Sequence, residues 1–372
     1  MDPHPEVLPF VESVLLRETR LKDAASKGNK VIGYFCTYTP VELIHAAGFI
    51  PVRIWGGSRG VQKAYSLVPS FICPYMRLSL EGALEGEFRF LSGIVQGYTC
   101  DVACGVVNIF RGNFGMELVH NLALPYNDNP DARRFLRSGL EELCEKLSRM
   151  GGMITETSLE ESVRLYEGIR SILAGLFALQ SQGVFPLSAA DLWAVVSSYF
   201  VTPPREYLDM ISGLDGHLKD AAPCRPEGIP VVVSGSVLED EGALAVVEGS
   251  GFRVAADDLC TGRRGFLPTA GQGQSPMERM VDRLMNRLPC PSRSHPRDRI
   301  PGLLRLVEES GAKGVIFLFQ KFCTPHLADH PRVAQALKEA GIPSMAIEMD
   351  EYGLIKAQVA TRLETFSSML GH

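Results

Sequence analysis

The stretch AKGVIFLFQ at 312–320 runs from Val315 to Phe319 without a polar residue. A strand with one wet face alternates apolar and polar side chains. An unbroken run needs cover on both faces, which a parallel sheet between two layers of helices provides. IPVVVSGS (229–236), FRVAADD (252–258), IPSMAIEMD (342–350), VIGYF (31–35) and FIPVRIW (49–55) read the same way. The segments between them have helical spacing. In TPVELIHAAG (39–48), Thr39 is expected as N-cap, Pro40 suits the first turn, Glu42 complements the helix dipole and Gly48 stops the helix. LSGIVQ (91–96) is expected as a further strand of the first sheet.

From about 130 to 222 the pattern is helical throughout, as in DARRFLRSGLEELCEKLSRM and LEESVRLYEGIRSILAGLFALQSQG. The Pro-rich AAPCRPEGIP (221–230) then marks a boundary, after which strands and helices alternate again. The expected organisation is an N-terminal helix over 1–30, a first α/β domain over 31–128, a helical segment over 129–222 and a second α/β domain over 223–372. The fold class is therefore α/β, with two Rossmann-like domains of parallel sheet and an intervening helical segment.

A chain of 372 residues that is 45% hydrophobic fills such cores, and a net charge of −6 argues against nucleic acid or an anionic membrane surface as partner. No apolar run approaches the length of a membrane span, and MDPHPEVLPF lacks the pattern of a signal peptide, so a cytoplasmic location is expected. There the nine cysteines, an odd number, do not suggest a disulfide framework.

Their positions carry the chemical signal. Cys36 ends the run VIGYF, Cys73 precedes a helix that starts at Pro74, and Cys323 follows GVIFLFQKF. Ligands of open parallel sheets gather beyond the carboxyl ends of strands, so Cys36 and Cys323 are expected on the functional rims of different domains. Amides at helix starts suit thiolates. Packing, nucleophile and metal ligand all remain open on this reading. No CxxC pair supports tetrahedral zinc, and Walker A, HExxH and GxSxG are absent. Cys144 falls on an apolar stripe with Leu140, Leu143 and Leu147 and reads as core.

GYFCTYTPVELIHAAGFIPVRIWG, CPYMR (73–77), TCD (99–101), SGS (234–236), DDLCTGRR (257–264) and KFCTPHLADHP (321–331) together resemble the 2-hydroxyacyl-CoA dehydratase family, which includes benzoyl-CoA reductase subunits. The resemblance runs from about residue 30 to the C-terminus. It implies a [4Fe–4S] cluster held by Cys36, Cys73 and Cys323, and an acyl-CoA substrate reduced by one electron to a ketyl radical that loses its 2-hydroxyl. It also implies a paralogous second subunit or a homodimer, and a separate ATP-dependent activator protein. Arg53 and Arg77 are candidates for CoA phosphates, and Glu42 and His326 for proton work. The chain departs from the pattern at Val41, where an acid is common, and at Cys104. A double-cubane branch leaves Cys100, Cys104, Cys260 and Cys290 open, although the lysine-rich stretch of that branch is replaced here by VACGVVNIF. A bilobed small-ligand-binding protein without redox chemistry is the competing class.

Overall fold

The computed structural model describes residues 3–57, 59–220, 226–239, 242–294, 296–350 and 356–371. Among these are two four-stranded, wholly parallel sheets. The first has the order β2-β1-β3-β4, from β1 (Val31–Tyr34), β2 (Ile50–Arg53), β3 (Leu91–Gly97) and β4 (Leu118–Leu122). The second repeats the pattern as β6-β5-β7-β8, from β5 (Ile229–Gly235), β6 (Phe252–Asp258), β7 (Gly314–Gln320) and β8 (Ser344–Met349). All seven residues of β7 are buried, as its unbroken apolar run requires.

The N-terminal region is not one helix. A 3₁₀ turn leads into α1 (Leu8–Leu15), and Leu16 separates it from α2 (Arg17–Ser26). The helices α3 (Val41–Ala46), α4 (Pro74–Glu85) and α5 (Asp101–Asn113) connect the first sheet. The helical segment comprises α6 (Pro130–Arg149), α7 (Glu156–Gln182), α8 (Ala189–Tyr199) and α9 (Pro204–Asp220). Around the second sheet stand α10 (Gly242–Gly249), α11 (Arg263–Phe266), α13 (Pro296–Ser310), α14 (Thr324–Glu339) and α15 (Lys356–Leu370), whereas α12 (Pro276–Met285) packs on α6 and α7 in the core of the first. The expected boundary near 222 lies outside the described residues.

Each sheet has two apolar faces. In the first, Ile32, Val95, Leu118 and Leu122 meet α3 and α6, whose Leu136, Leu140, Leu143 and Leu147 form a fully buried stripe. Val31, Val52 and Ile94 face α2, α4 and α5 on the other side. In the second, Val232, Val315, Phe317 and Phe319 pack on α13 and α14. The opposite face, with Val231, Val233, Ile316 and Leu318, packs into a core shared with α1, α7, α8 and α9. Helix α7 contributes Leu159 and Val163 to the first unit's core and residues from Leu165 onward to this second one.

Thr39 does not cap α3. Its hydroxyl accepts the Gly97 amide at 3.1 Å and faces the Val95 carbonyl at 3.4 Å, so β3 competes successfully for it and Pro40 precedes the helix instead. No described helix is long and apolar enough to cross a membrane.

Candidate functional site

Both sheets direct their strand ends at one cavity of about 100 Å³ between the two α/β units. Its wall includes Cys36, Cys73 and Cys100 from the first unit and Cys260, Cys290, Gln320 and His326 from the second. Arg53 and Arg264 also line it, and among the described residues no carboxylate does.

Local structure explains why thiols stand here. Cys73, Cys100 and Cys323 occupy the N-cap positions of α4, α5 and α14, where the first amides of a helix lack intrahelical partners. None of the three sulfurs closes a side-chain cap hydrogen bond, but the first amides lie near enough to favour a thiolate: Met76 N–H at Cys73, Ala103 and Val102 at Cys100, and His326 at Cys323. Cys36 follows β1 directly and accepts the Thr99 hydroxyl at 3.2 Å and the Tyr38 amide. Its turn is anchored by Gln96, whose side-chain oxygen accepts the amides of Phe35 (3.1 Å) and Cys36 (3.0 Å). The turn before Cys323 is strained. Phe322 has φ +62°, the single positive value on a non-glycine among the described residues.

Burial pushes the Cys36, Cys100 and Cys323 thiols up, and that of Cys73 up to about 12. Nearby thiols reinforce the effect: Cys323 feels Cys73 and Cys260, and Cys73 feels Cys100. Cys260 is different. The Cys290 thiol outweighs its burial, and with Arg264 and His326 holds it well below the usual thiol range. Arg264 Nη2 lies 3.3 Å from Cys260 Sγ and 3.4 Å from His326 Nε2. Beneath this wall, Asp258 takes Arg264 (3.0 Å), Arg299 (2.8 Å) and Ser234 (2.7 Å), while Arg299 also pairs with Asp329.

The residues singled out from sequence are dispersed unevenly around this centre. Cys36, Cys73, Arg53 and His326 line the cavity; Cys323 is half-buried and off its wall, within electrostatic reach of Cys73, Cys100 and Cys260. Arg53 is tied to Glu239 at 3.4 Å and to the Phe35 carbonyl at 3.3 Å, and its guanidinium lies 4.7 Å over the Tyr75 ring. Arg77 is buried against Tyr65, whose hydroxyl it reaches at 2.7 Å. Glu42 is not on the wall. It pairs with Arg170 at 2.5 Å inside the α3–α7 contact, where Arg170 and Arg283 overcome burial and hold its carboxyl low. His326 is fully enclosed, and burial lowers its pKa, so the ring is neutral near pH 7. Cys144, read as core from sequence, is half-buried on an outer groove remote from these thiols.

Gln96 and Gln320 escape a motif search, and Arg264, although it closes the motif DDLCTGRR, is not singled out by it. Gln96 and Gln320 are detectable as lone amides closing the apolar runs LSGIVQ and GVIFLFQ. Gln320 donates to the Val237 carbonyl at 3.2 Å, and its buried side-chain oxygen has no hydrogen-bond partner among the described residues.

A family model described as "2-hydroxyglutaryl-CoA dehydratase, D-component" matches residues 36–370. The chain is 29% identical over 354 residues to the (R)-phenyllactyl-CoA dehydratase beta subunit of Clostridium sporogenes, covering 94% of each chain. It is 26% identical over 352 residues to the beta subunit of lactoyl-CoA dehydratase of Anaerotignum propionicum, covering 93% of each. Identity to one of the benzoyl-CoA reductase subunits of Thauera aromatica is 25% over 336 residues, 88% of this chain and 87% of that one.

Proposed function

Because the chain belongs to the 2-hydroxyglutaryl-CoA dehydratase D-component family, and so is an enzyme subunit of the acyl-CoA dehydratase and reductase type, we propose that it is the iron–sulfur subunit of a 2-hydroxyacyl-CoA dehydratase. The observation that carries this reading is the pair of N-cap thiols Cys73 and Cys100 at one cavity, with the N-cap thiol Cys323 within electrostatic reach of both, and a wall that has arginines and no carboxylate among the described residues. Burial keeps such thiols protonated, whereas helix-start amides favour thiolates. A cationic occupant reconciles the two, because it replaces the protons that burial demands.

Among the described residues, no three His, Cys, Asp or Glu side chains converge to chelate a single ion. Thiols spread over the walls of a cavity suit a larger body, and an iron–sulfur cluster is bound by cysteines in this manner. Cys36, Cys73 and Cys323 would hold a [4Fe–4S] cluster. Bound, such a cluster supplies a strongly reducing single electron and an open iron, which reduction of a thioester to a ketyl and loss of its 2-hydroxyl require.

The protein side chains act around that chemistry. Gln96 fixes the Cys36 turn, and the Glu42–Arg170 pair locks the helix that follows it. His326, neutral and bonded within the wall, is placed to hand over a proton, and the unpartnered oxygen of Gln320 accepts a hydrogen bond from an occupant. Arg53 and Arg77 favour an anionic ligand, the CoA phosphates being the candidates. A homologous partner subunit and a separate ATP-dependent activator complete the proposed system. The benzoyl-CoA reductase relative makes an electron-consuming aryl-CoA reduction the second reading.

Oxygen-free purification tests the proposal. A brown chain with about four irons supports it, about eight irons replaces the single cluster with a larger assembly, and colourless, iron-free protein supports a bilobed binding protein instead.

A further inference from the structure

We propose that Cys260 and Cys290 are a redox-active dithiol that closes to a disulfide when a small peroxide enters the cavity. The inference goes beyond the iron reading and does not depend on it. Both residues stand on connections rather than inside elements, Cys260 between β6 and α11 and Cys290 after α12, so their sulfurs approach without breaking a helix or strand. Cys260 and Cys290 share one cavity wall, and the Cys290 thiol is the strongest single influence on the Cys260 sulfur. Arg264 Nη2 at 3.3 Å and His326 Nε2 at 3.9 Å complete the surroundings of that sulfur.

This combination selects one kind of chemistry. Two thiols and an imidazole resemble a chelating set, but the guanidinium occupies the space between Cys260 and His326 and repels a lone metal cation. The same guanidinium stabilises a thiolate, the form that attacks a peroxide. Cys36 has only a hydroxyl and a backbone amide as donors, and Cys73 has backbone amides, so neither shares this activation. Cys260 and Cys290 also line the cavity of about 100 Å³, which is ample for a molecule the size of hydrogen peroxide.

The step balances without other reagents. The Cys260 thiolate attacks one peroxide oxygen, an S–O bond forms as the O–O bond breaks, and the departing hydroxide leaves as water after taking a proton. Cys290 sulfur then displaces hydroxide from the resulting sulfenic acid, its own proton leaving with that hydroxide as a second water. Two thiols are oxidised to one disulfide while one peroxide is reduced by two electrons.

Peptide mapping of the full chain tests this. Trypsin releases Cys260 in VAADDLCTGR (254–263) and Cys290 in LPCPSR (288–293). After brief exposure to hydrogen peroxide and alkylation of remaining thiols, these two peptides are expected joined, two hydrogens lighter than their sum and separated again by dithiothreitol. In Cys290→Ser, dimedone is expected to trap Cys260 as a sulfenic acid. The linkage is expected both in iron-bearing chain and after iron is stripped by a chelator, so a failure of the iron reading leaves this result readable. Complete alkylation of Cys260 after peroxide, or its linkage to Cys36 or Cys73, overturns the proposal. So does loss of bound iron from both Cys260→Ser and Cys290→Ser, which would make the two thiols ligands.

Discussion

The two α/β units present equal sheets to the cavity but build their walls differently. The first unit sets its thiols among neutral groups: Gln96 holds the Cys36 turn through two amides, and helix-start amides lie near Cys73 and Cys100. The second unit uses charge: Asp258 gathers Arg264, Arg299 and Ser234, and Arg299 reaches on to Asp329 under the start of α14. Equivalent strands even carry a glutamine near their carboxyl ends, penultimate in β3 and last in β7, with different roles. Gln96 satisfies two backbone donors, whereas Gln320 leaves its oxygen free toward the cavity. The lesson is that matching sheets can carry walls whose polar groups are satisfied in different ways.

Removal of single thiols breaks the comparison most severely. Cys36→Ser, Cys73→Ser and Cys323→Ser are each expected to abolish iron retention in oxygen-free preparations, and Cys144→Ser to keep it, as read by iron analysis. Next comes the charged wall. Arg299→Met leaves Asp329 and Asp258 short of a buried partner and is expected to cost about 3–5 kcal/mol in denaturant unfolding. The neutral wall follows. Gln96→Leu orphans two buried amides, at roughly 1–3 kcal/mol each, while Gln320→Leu is expected to cost below about 1 kcal/mol because its backbone amide remains bonded to Ser236. Equal losses for the two glutamines would erase the distinction.

The smallest effect lies outside the cavity. Burial raises the Glu248 carboxyl to about 6, even though it accepts the Ala189 amide at 3.0 Å. A folded value above the unfolded one means its stabilising contribution is complete below about 4.5 and is lost as pH rises through about 6. Glu248→Gln is therefore expected to stabilise the chain by about 1–2 kcal/mol at pH 7 and by nothing at pH 4. Thermal melts at the two pH values check the sign.

The alternation of buried strands and helices is legible in the sequence because its cause is local: continuous apolar runs bounded by Gly and Pro. β4 escapes notice because LVHNL alternates apolar with His120 and Asn121 and is only five residues long. Cys36 and Cys73 are traceable to element boundaries for the same local reason. Cys260 and Cys290 stay open in the sequence, since their places on the wall depend on how loops of the second unit fold over the first. Glu42 pairs with a residue 128 positions away, and no spacing rule reaches that far. Thr39 shows local and tertiary demands in conflict, with the sheet winning.

Helix α7 has 27 residues, a rod about 40 Å long, and it is embedded in the apolar interiors of both halves. A clamshell opening between the halves would have to snap this beam or pull Leu and Tyr side chains into water. Traffic into and out of the crevice must therefore pass by rearrangement of the rim, leaving the two lobes mechanically one piece through the working cycle.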